Sequence, residues 1–367
     1  MTRTEFIKMC GILGVSLPFQ ASLLSCEKND SDNIPFSGKV IIIGAGAGGL
    51  SSGYLLQQQG IEFEILEAST VYGGRMKINT DFADFPIPLG AEWLETNVNI
   101  FQEIVNDSTI SVDVETISDA PDRKFVNSSW FNFFSEYIVP SIFDKIVYNT
   151  AVQSIDYSGD QIVVNTQNGQ HTADKVIVSV PLKILQDGDL NFLPNLPQDK
   201  LDAISDTTIW EGFKAFFEFS EKFYDDNYEF DISPASDGEK IYYNATHGQN
   251  TSKNILGLFV VGKPALDFNT LSGDELKDFI LAELDGIYSN QATSNYIKHI
   301  TQNWDKEPFI KAGYMTDNAD WRTVRKLGES VDDKIYFAGG EYTNGDDWVS
   351  VHAAAQSAKR VIEKIVN

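Results

Sequence analysis

The run Val40-Ile41-Ile42-Ile43-Gly44-Ala45-Gly46-Ala47-Gly48-Gly49-Leu50 constrains this chain more than any other stretch. Consecutive aliphatic residues read as a strand buried on both faces, and glycines then follow in G-x-G-x-x-G spacing. Glycines at 44, 46 and 49 permit a tight turn, a close backbone approach to a pyrophosphate, and close packing of helix on strand. Gly48 lies within the same turn. Free amides at the start of the helix suit phosphate charge. Residues 50–59 read as that helix, closed by Gly60, and residues 61–66 as a second strand running into Glu67 and Ala68. A carboxylate at this distance can accept hydrogen bonds from an adenosine ribose. The plainer alternative is a glycine turn in an ordinary strand–helix pair.

The chain has 367 residues, enough for one large domain or two intimate ones with a substantial core. Its formal net charge of -25 leaves no basic stripe to neutralise phosphates, which argues against nonspecific nucleic-acid binding. The two cysteines, Cys10 and Cys26, fall in the N-terminal segment, so the folded part is expected to hold no disulfide and no thiolate metal site. His171, His247, His299 and His352 show no metal-ligand spacing, and no metal is expected.

Residues 1–26 carry Arg3 and Lys8, then an apolar run over 9–24, then Leu23-Leu24-Ser25-Cys26. This has the shape of an export signal. Its end resembles a bacterial lipoprotein signal box, which implies a lipid anchor on Cys26, with residues 27–37 as a tether. The expected location is the periplasmic or cell-surface side of a bacterial envelope, anchored to the membrane. Residues 2–8 also resemble a twin-arginine signal that lacks one arginine.

After Glu67 comes Val71-Tyr72-Gly73-Gly74-Arg75, where paired glycines again admit a bulky neighbour and an arginine offers a fork to phosphate. With these residues the chain resembles the flavin-containing amine oxidases, a group of monoamine oxidases, polyamine oxidases and histone demethylases. The resemblance implies an α/β fold, with a Rossmann-type FAD-binding domain and a substrate domain of mixed sheet plus helices. It extends to Leu89-Gly90-Ala91-Glu92-Trp93, similar to the family's segment against the flavin, and to Val152, whose backbone meets adenine in the family. Ile335-Tyr336-Phe337-Ala338-Gly339-Gly340-Glu341 and the helix opening at Val351 resemble the last flavin section. There Glu341 binds toward the ribityl chain, and the amides at Val351 meet the isoalloxazine carbonyl.

Catalytic candidates follow from the same resemblance. Lys214 interrupts the aromatic run 212–219, where burying an ammonium is costly without a partner. In the family, the lysine at this position holds a water against flavin N5. The plainer reading is a lysine guarding a sheet edge. Trp304 and Gly313-Tyr314 resemble the family's spacing beside the flavin, with Tyr314 as one wall of the aromatic cage for the amine. Gly313 replaces the cysteine that binds flavin covalently in monoamine oxidases, so noncovalent FAD is implied. The second cage wall aligns with Ser350, and the family's preceding glycine with Val349.

The long helical substrate region of the family has no room between Trp93 and Val147, so the lid is expected to be reduced. Helices are predicted at 99–106 and, aromatic in character, at 130–143. The FAD-binding domain is assigned to 38–100, 145–187 and 330–367, and the substrate domain to 101–144 and 188–329. The expected activity is oxidation of an amine or amino-acid C–N bond by hydride transfer to flavin N5, with oxygen as acceptor. The partners are a small-molecule amine and oxygen, without nucleic acid. The alternatives are a carbon–carbon dehydrogenase or desaturase on the same scaffold, a noncatalytic flavin-binding surface protein, and, least favoured, an NAD enzyme.

Overall fold

The computed structural model describes residues 36–117, 122–230 and 237–366. The expected export signal, the Cys26 anchor and the tether up to residue 35 therefore lie outside the described residues. Among the described residues no helix is long and apolar enough to cross a membrane.

The aliphatic run forms the strand Lys39–Ile43, and the glycine turn leads into the helix Ala47–Gln59, which ends on left-handed Gly60. That strand is the centre of a five-stranded sheet in the order Ile335–Phe337, Lys175–Val178, Lys39–Ile43, Glu62–Leu66, Ile146–Val147. Every pairing in it is parallel. A strand alternates its side chains between faces. Accordingly Val40 and Ile42 join one core with Leu50, Leu56 and the C-terminal helix Val351–Val366, while Ile41 and Ile43 join another with Val176, Val178 and Phe337. Both faces are thus covered, as a parallel sheet requires.

A four-stranded sheet adjoins the second core. Val152–Asp156 and Ile162–Thr166 pair antiparallel, and a hairpin at residues 167–168 adds Gly169–Ala173, as the alternation and the Asn168-Gly169 turn predict. Beneath it, buried Lys200 donates to the carbonyls of Lys326, Leu327 and Glu329 at 3.1, 2.8 and 2.7 Å. It thereby satisfies the C-terminal end of the helix Trp321–Leu327.

A second five-stranded sheet runs Asn227–Glu229, Gly238–Asn244, Asn254–Gly262, Gly212–Phe219, Tyr296–Asn303, antiparallel throughout. All eight residues of Gly212–Phe219 are buried, and the strand is flanked on both sides. Lys214 is therefore not an edge lysine, and the plainer reading of it fails. Phe213, Phe217 and Phe219 face the helix Gly273–Ile287, whereas Phe216 packs with Phe82, Leu89 and Tyr243. Lys214 shares the latter face by register.

The helix Ile100–Val105 lies where it is predicted. The aromatic one is shorter than expected: it spans Trp130–Tyr137, and two single turns, Val139–Ser141 and Phe143–Lys145, follow. Pro140 explains the break, because it has no amide to continue the ladder. Trp130, Phe133 and Phe134 sit in the same core as Val40 and Ile42. Part of the stretch 101–144, assigned from sequence to the substrate side, thus packs on the nucleotide side. Its remainder forms a small sheet in which Arg123–Phe125 pairs with Trp93–Leu94 and Val114–Thr116.

Candidate active site

A single large cavity of about 1720 Å³ runs from the glycine turn to the second sheet. At one end, Gly44 has φ of +100°, and a Cβ there would meet the Ser179 carbonyl oxygen at 2.8 Å. Only glycine fits this turn. A Cβ on Gly46, by contrast, would meet no protein atom within 4 Å, and Gly46 lines the cavity. Bare backbone here leaves room for something other than protein.

Gly48, Glu67, Ala68, Gly74, Gly90, Ala91, Trp93, Val152, Gly340 and Val351 also line the cavity, as do Trp304, Lys214 and Tyr314. Glu67 accepts from the amides of Ala45 and Ser69 at 2.7 and 2.8 Å, which fixes its carboxylate beside the turn. Gly73 donates its amide to Ala45 at 2.8 Å, so the second glycine pair is clamped on the first. Trp304 is buried and donates to the Leu89 carbonyl at 3.1 Å, supporting the Gly90 turn from behind.

Three of the assigned residues have partners within the protein or pack against it. Gly49 does not line the cavity: a Cβ there would lie 1.9 Å from the Gly44 oxygen, so it serves helix–strand packing alone. Arg75 lines the cavity and also has protein partners. Its guanidinium pairs with buried Glu341 at 2.5 Å and donates to the Gly313 carbonyl at 2.9 Å. Glu341 is accordingly held by Arg75. Glu92 lines the cavity and is also the counterion of Lys214.

That buried pair shapes the inner end of the cavity. Lys214 Nζ lies 2.6 Å from Glu92 Oε2 and donates to the carbonyls of Pro88 and Gly90 at 2.9 and 3.1 Å. Tyr243 donates its hydroxyl to Glu92 at 2.6 Å, and Lys124 lies 3.0 Å from Glu92 Oε1. Burial alone would raise the Glu92 pKa, but the two lysines outweigh it and hold the carboxyl below its ordinary value. Burial draws the Lys214 ammonium below its ordinary value, and Glu92 counters it only in part. Trp93 lies 5.0 Å from this ammonium, within cation–π reach.

Tyr314 sits on a short strand paired with Ile209–Trp210, its ring 6.0 Å from that of Trp210. Around it the cavity is acidic, with Glu95, Asp122, Glu239 and Asp317 on its lining. Burial, then Asp122, brings the Glu95 carboxyl up to about 7, and burial raises Asp122, Glu239 and Asp317 as well. Burial, followed by Asp317, Glu239 and Glu95, also raises the Tyr314 phenol. Sequence reasoning missed this acidic set. Its members come from separate segments without a motif, and only the overall charge hinted at it.

The second cage wall carries no ring at Ser350. Its hydroxyl accepts from the Ala353 amide at 3.0 Å and so caps the C-terminal helix. Asp347 and Ser350 both approach His352 Nε2, at 2.7 and 3.2 Å. Because they share one ring nitrogen, they do not form a nucleophilic relay. The His352 bond holds Asp347 below the usual carboxylate range, despite burial. Trp348 lines the cavity with its indole N–H donated to Thr316 at 3.2 Å. Val349 has φ of +66°, a strained backbone for a β-branched residue.

The glycine turn, parallel sheet and cavity define a Rossmann-type dinucleotide-binding fold with a second, antiparallel-sheet unit. A family model described as flavin containing amine oxidoreductase matches residues 142–366, and one described as NAD(P)-binding Rossmann-like domain matches residues 42–107. The chain belongs to the flavin-containing amine oxidoreductase family, and FAD is its cofactor. The chain is 27% identical over 221 residues to lysine-specific histone demethylase 1B of Mus musculus, a match covering 58% of this chain and 27% of the relative. It is likewise 27% identical over 229 residues to lysine-specific histone demethylase 2 of Homo sapiens, covering 60% and 28%. The chain thus spans under a third of the length of these curated relatives. A putrescine oxidase triple mutant with redesigned cofactor binding superposes with a TM-score of 0.73 at 13% identity, covering 90% of this chain and 99% of that one. That likeness concerns the fold.

Replacing Val349 by glycine should relieve the left-handed strain and stabilise the protein by about 1 kcal/mol. Denaturant midpoints of the two proteins check this, and an unchanged or lower midpoint for Val349→Gly refutes it.

Proposed function

We propose that this protein is an FAD-dependent oxidase of cationic amines. The carbon next to nitrogen gives up a hydride, and dioxygen is the final acceptor. The observation that carries the reading is that one cavity joins the glycine turn to Lys214 and Tyr314 through a lining rich in carboxylates. Among the described residues Glu95, Glu239 and Asp317 take part in no ion pair, so their carboxyl groups remain available to an ammonium ligand, whose charge would favour their ionised forms.

When bound, FAD supplies the hydride acceptor and the electron path to dioxygen. The chain supplies binding and orientation. Gly44, Gly46 and Gly48 give the close approach for the pyrophosphate, Glu67 reaches the ribose, and the Val152 backbone the adenine. The helix start at Val351 offers amides where negative charge develops. Gly313 has no thiol, which supports noncovalent binding. Tyr314 forms one face against the amine, and Lys214 keeps a cation fixed at the reacting end. The reacting nitrogen gives up its extra proton first; the neutral amine losing a hydride then becomes a protonated imine, which water hydrolyses, while dioxygen takes up the two electrons with two protons and leaves as hydrogen peroxide.

A second reading, carbon–carbon dehydrogenation, draws on Ser350, since a site with one aromatic wall is less committed to an amine. The histone demethylases and putrescine oxidase named above point instead toward alkylamines. We further propose that the mature chain is exported and anchored through a lipid on Cys26, a reading supported by Leu23-Leu24-Ser25-Cys26.

Anaerobic mixing of the FAD-loaded protein with a panel of mono-, di- and polyamines should bleach the flavin absorbance. Failure with every amine, alongside bleaching by a carbon–carbon substrate, would overturn the first reading in favour of the second. The pH dependence carries a sign: Glu95 is uncharged below about 7 and charged above it, so KM for a cationic amine should fall as pH rises through about 7. In Glu95→Gln that inflection should vanish, and a retained inflection would assign it elsewhere. In a bacterial host, Cys26→Ala should abolish incorporation of labelled fatty acid and move the protein out of the membrane fraction. Labelling that persists in the variant would exclude the anchor.

A further inference from the structure

The inner end of the cavity holds more positive charge than Lys214 needs. Lys124, on the strand Arg123–Phe125, places Nζ 3.0 Å from Glu92 Oε1 and donates to the Ala245 carbonyl at 3.0 Å. The Lys124, Glu92 and Lys214 side chains are 5%, 2% and 3% exposed. Two lysine side chains thus share one carboxylate, and with both protonated the buried group would carry a net positive charge. Tyr243, whose hydroxyl donates to Glu92 Oε2, completes the titratable set around that carboxylate. A buried pair already carries a large desolvation cost, and a second buried cation adds to it. Holding Lys214 in place does not require the addition. Its three N–H groups are taken up by Pro88, Gly90 and Glu92.

Lys124 has a second distinguishing position. Glu92 and Lys124 line the large cavity and also a separate recess of about 10 Å³ bounded by Pro88, Phe125, Ser128 and Gln249. That is about the space of one water molecule. The pair is therefore the partition between the reacting end of the cavity and the recess behind it.

We propose that Lys124 is a positioning residue for the reaction, acting through Glu92 to keep the Lys214 end of the cavity net positive and closed from behind. This rests on the reading in which the reacting edge of the flavin lies against Lys214. Without Lys124, Glu92 and Lys214 form a neutral pair. Lys214 then holds its proton more tightly, in keeping with the lowering that Lys124 exerts on it now. The site also loses its attraction for the negative charge that accompanies flavin reduction. Lys124→Met removes the charge while keeping most of the volume, whereas Lys124→Arg keeps the charge.

The test uses the full chain loaded with FAD and two readouts. One is the affinity for sulfite, an anion that bleaches oxidised flavin without turnover. The other is the pH profile of reoxidation by dioxygen. Lys124→Met should weaken sulfite binding about tenfold and move the reoxidation limb up by about one pH unit, while Lys124→Arg stays near the parent in both. If Lys124→Met does not fold, Lys124→Gln carries the same expectations. Sulfite affinity and pH limb both unchanged in the charge-removing variant overturn the proposal, as does an Arg variant that behaves like the Met variant. Failure of the oxidase reading has a different signature: the parent itself is reduced by no amine and reoxidises no faster than free flavin, whatever Lys124 does to sulfite.

Discussion

The Lys214–Glu92 pair is the interaction on which the geometry of the reacting end depends. It joins a strand of the antiparallel sheet to the Gly90 turn, and the two residues lie 122 positions apart in sequence. Breaking such a pair by removing one partner typically costs about 3–5 kcal/mol, because the remaining charge is stranded in a dry interior. Its strength comes from the number of partners on each side. The ammonium has three acceptors, and the carboxylate has a phenol and two cations around it. With the pair in place, Gly90, Ala91 and Trp93 are held along the cavity, and the aromatic residues packed round it exclude water from the charges.

Much of the fold could be read from the sequence because its elements are locally declared. The helix closed by Gly60 and the strand running into Glu67 form where their patterns predict, as Ala47–Gln59 and Glu62–Leu66. The Gly44 turn announces itself through a glycine spacing in which Gly44 and Gly49 leave no room for a side chain. Lys214 stood out because an ammonium in an aromatic run demands an explanation. What sequence could not convey was the explanation itself. Glu92 reads as a flavin contact when seen beside Gly90 and Ala91, and only the folding of two sheets against each other makes it a counterion. The same holds for Arg75, whose partner Glu341 arrives from the far end of the chain. Lys124 and the acidic lining around Glu95 carry no local signature, since their meaning lies wholly in which segments meet.

The far end of the cavity illustrates how one substitution propagates through a turn. With Val349 forced into a left-handed backbone, its amide still reaches the Gly340 carbonyl at 2.9 Å, so the turn keeps its shape at an energetic cost. Ser350 then spends its hydroxyl on the helix start, and no ring stands opposite Tyr314 at that position.

The central parallel sheet has a consequence for biosynthesis. Its strands come from residues 39–66, 146–147, 175–178 and 335–337, and the helix covering one face spans Val351–Val366. A ribosome must therefore release the chain up to that helix before the nucleotide cradle has all its walls. Until then the nascent chain must tolerate an open apolar sheet.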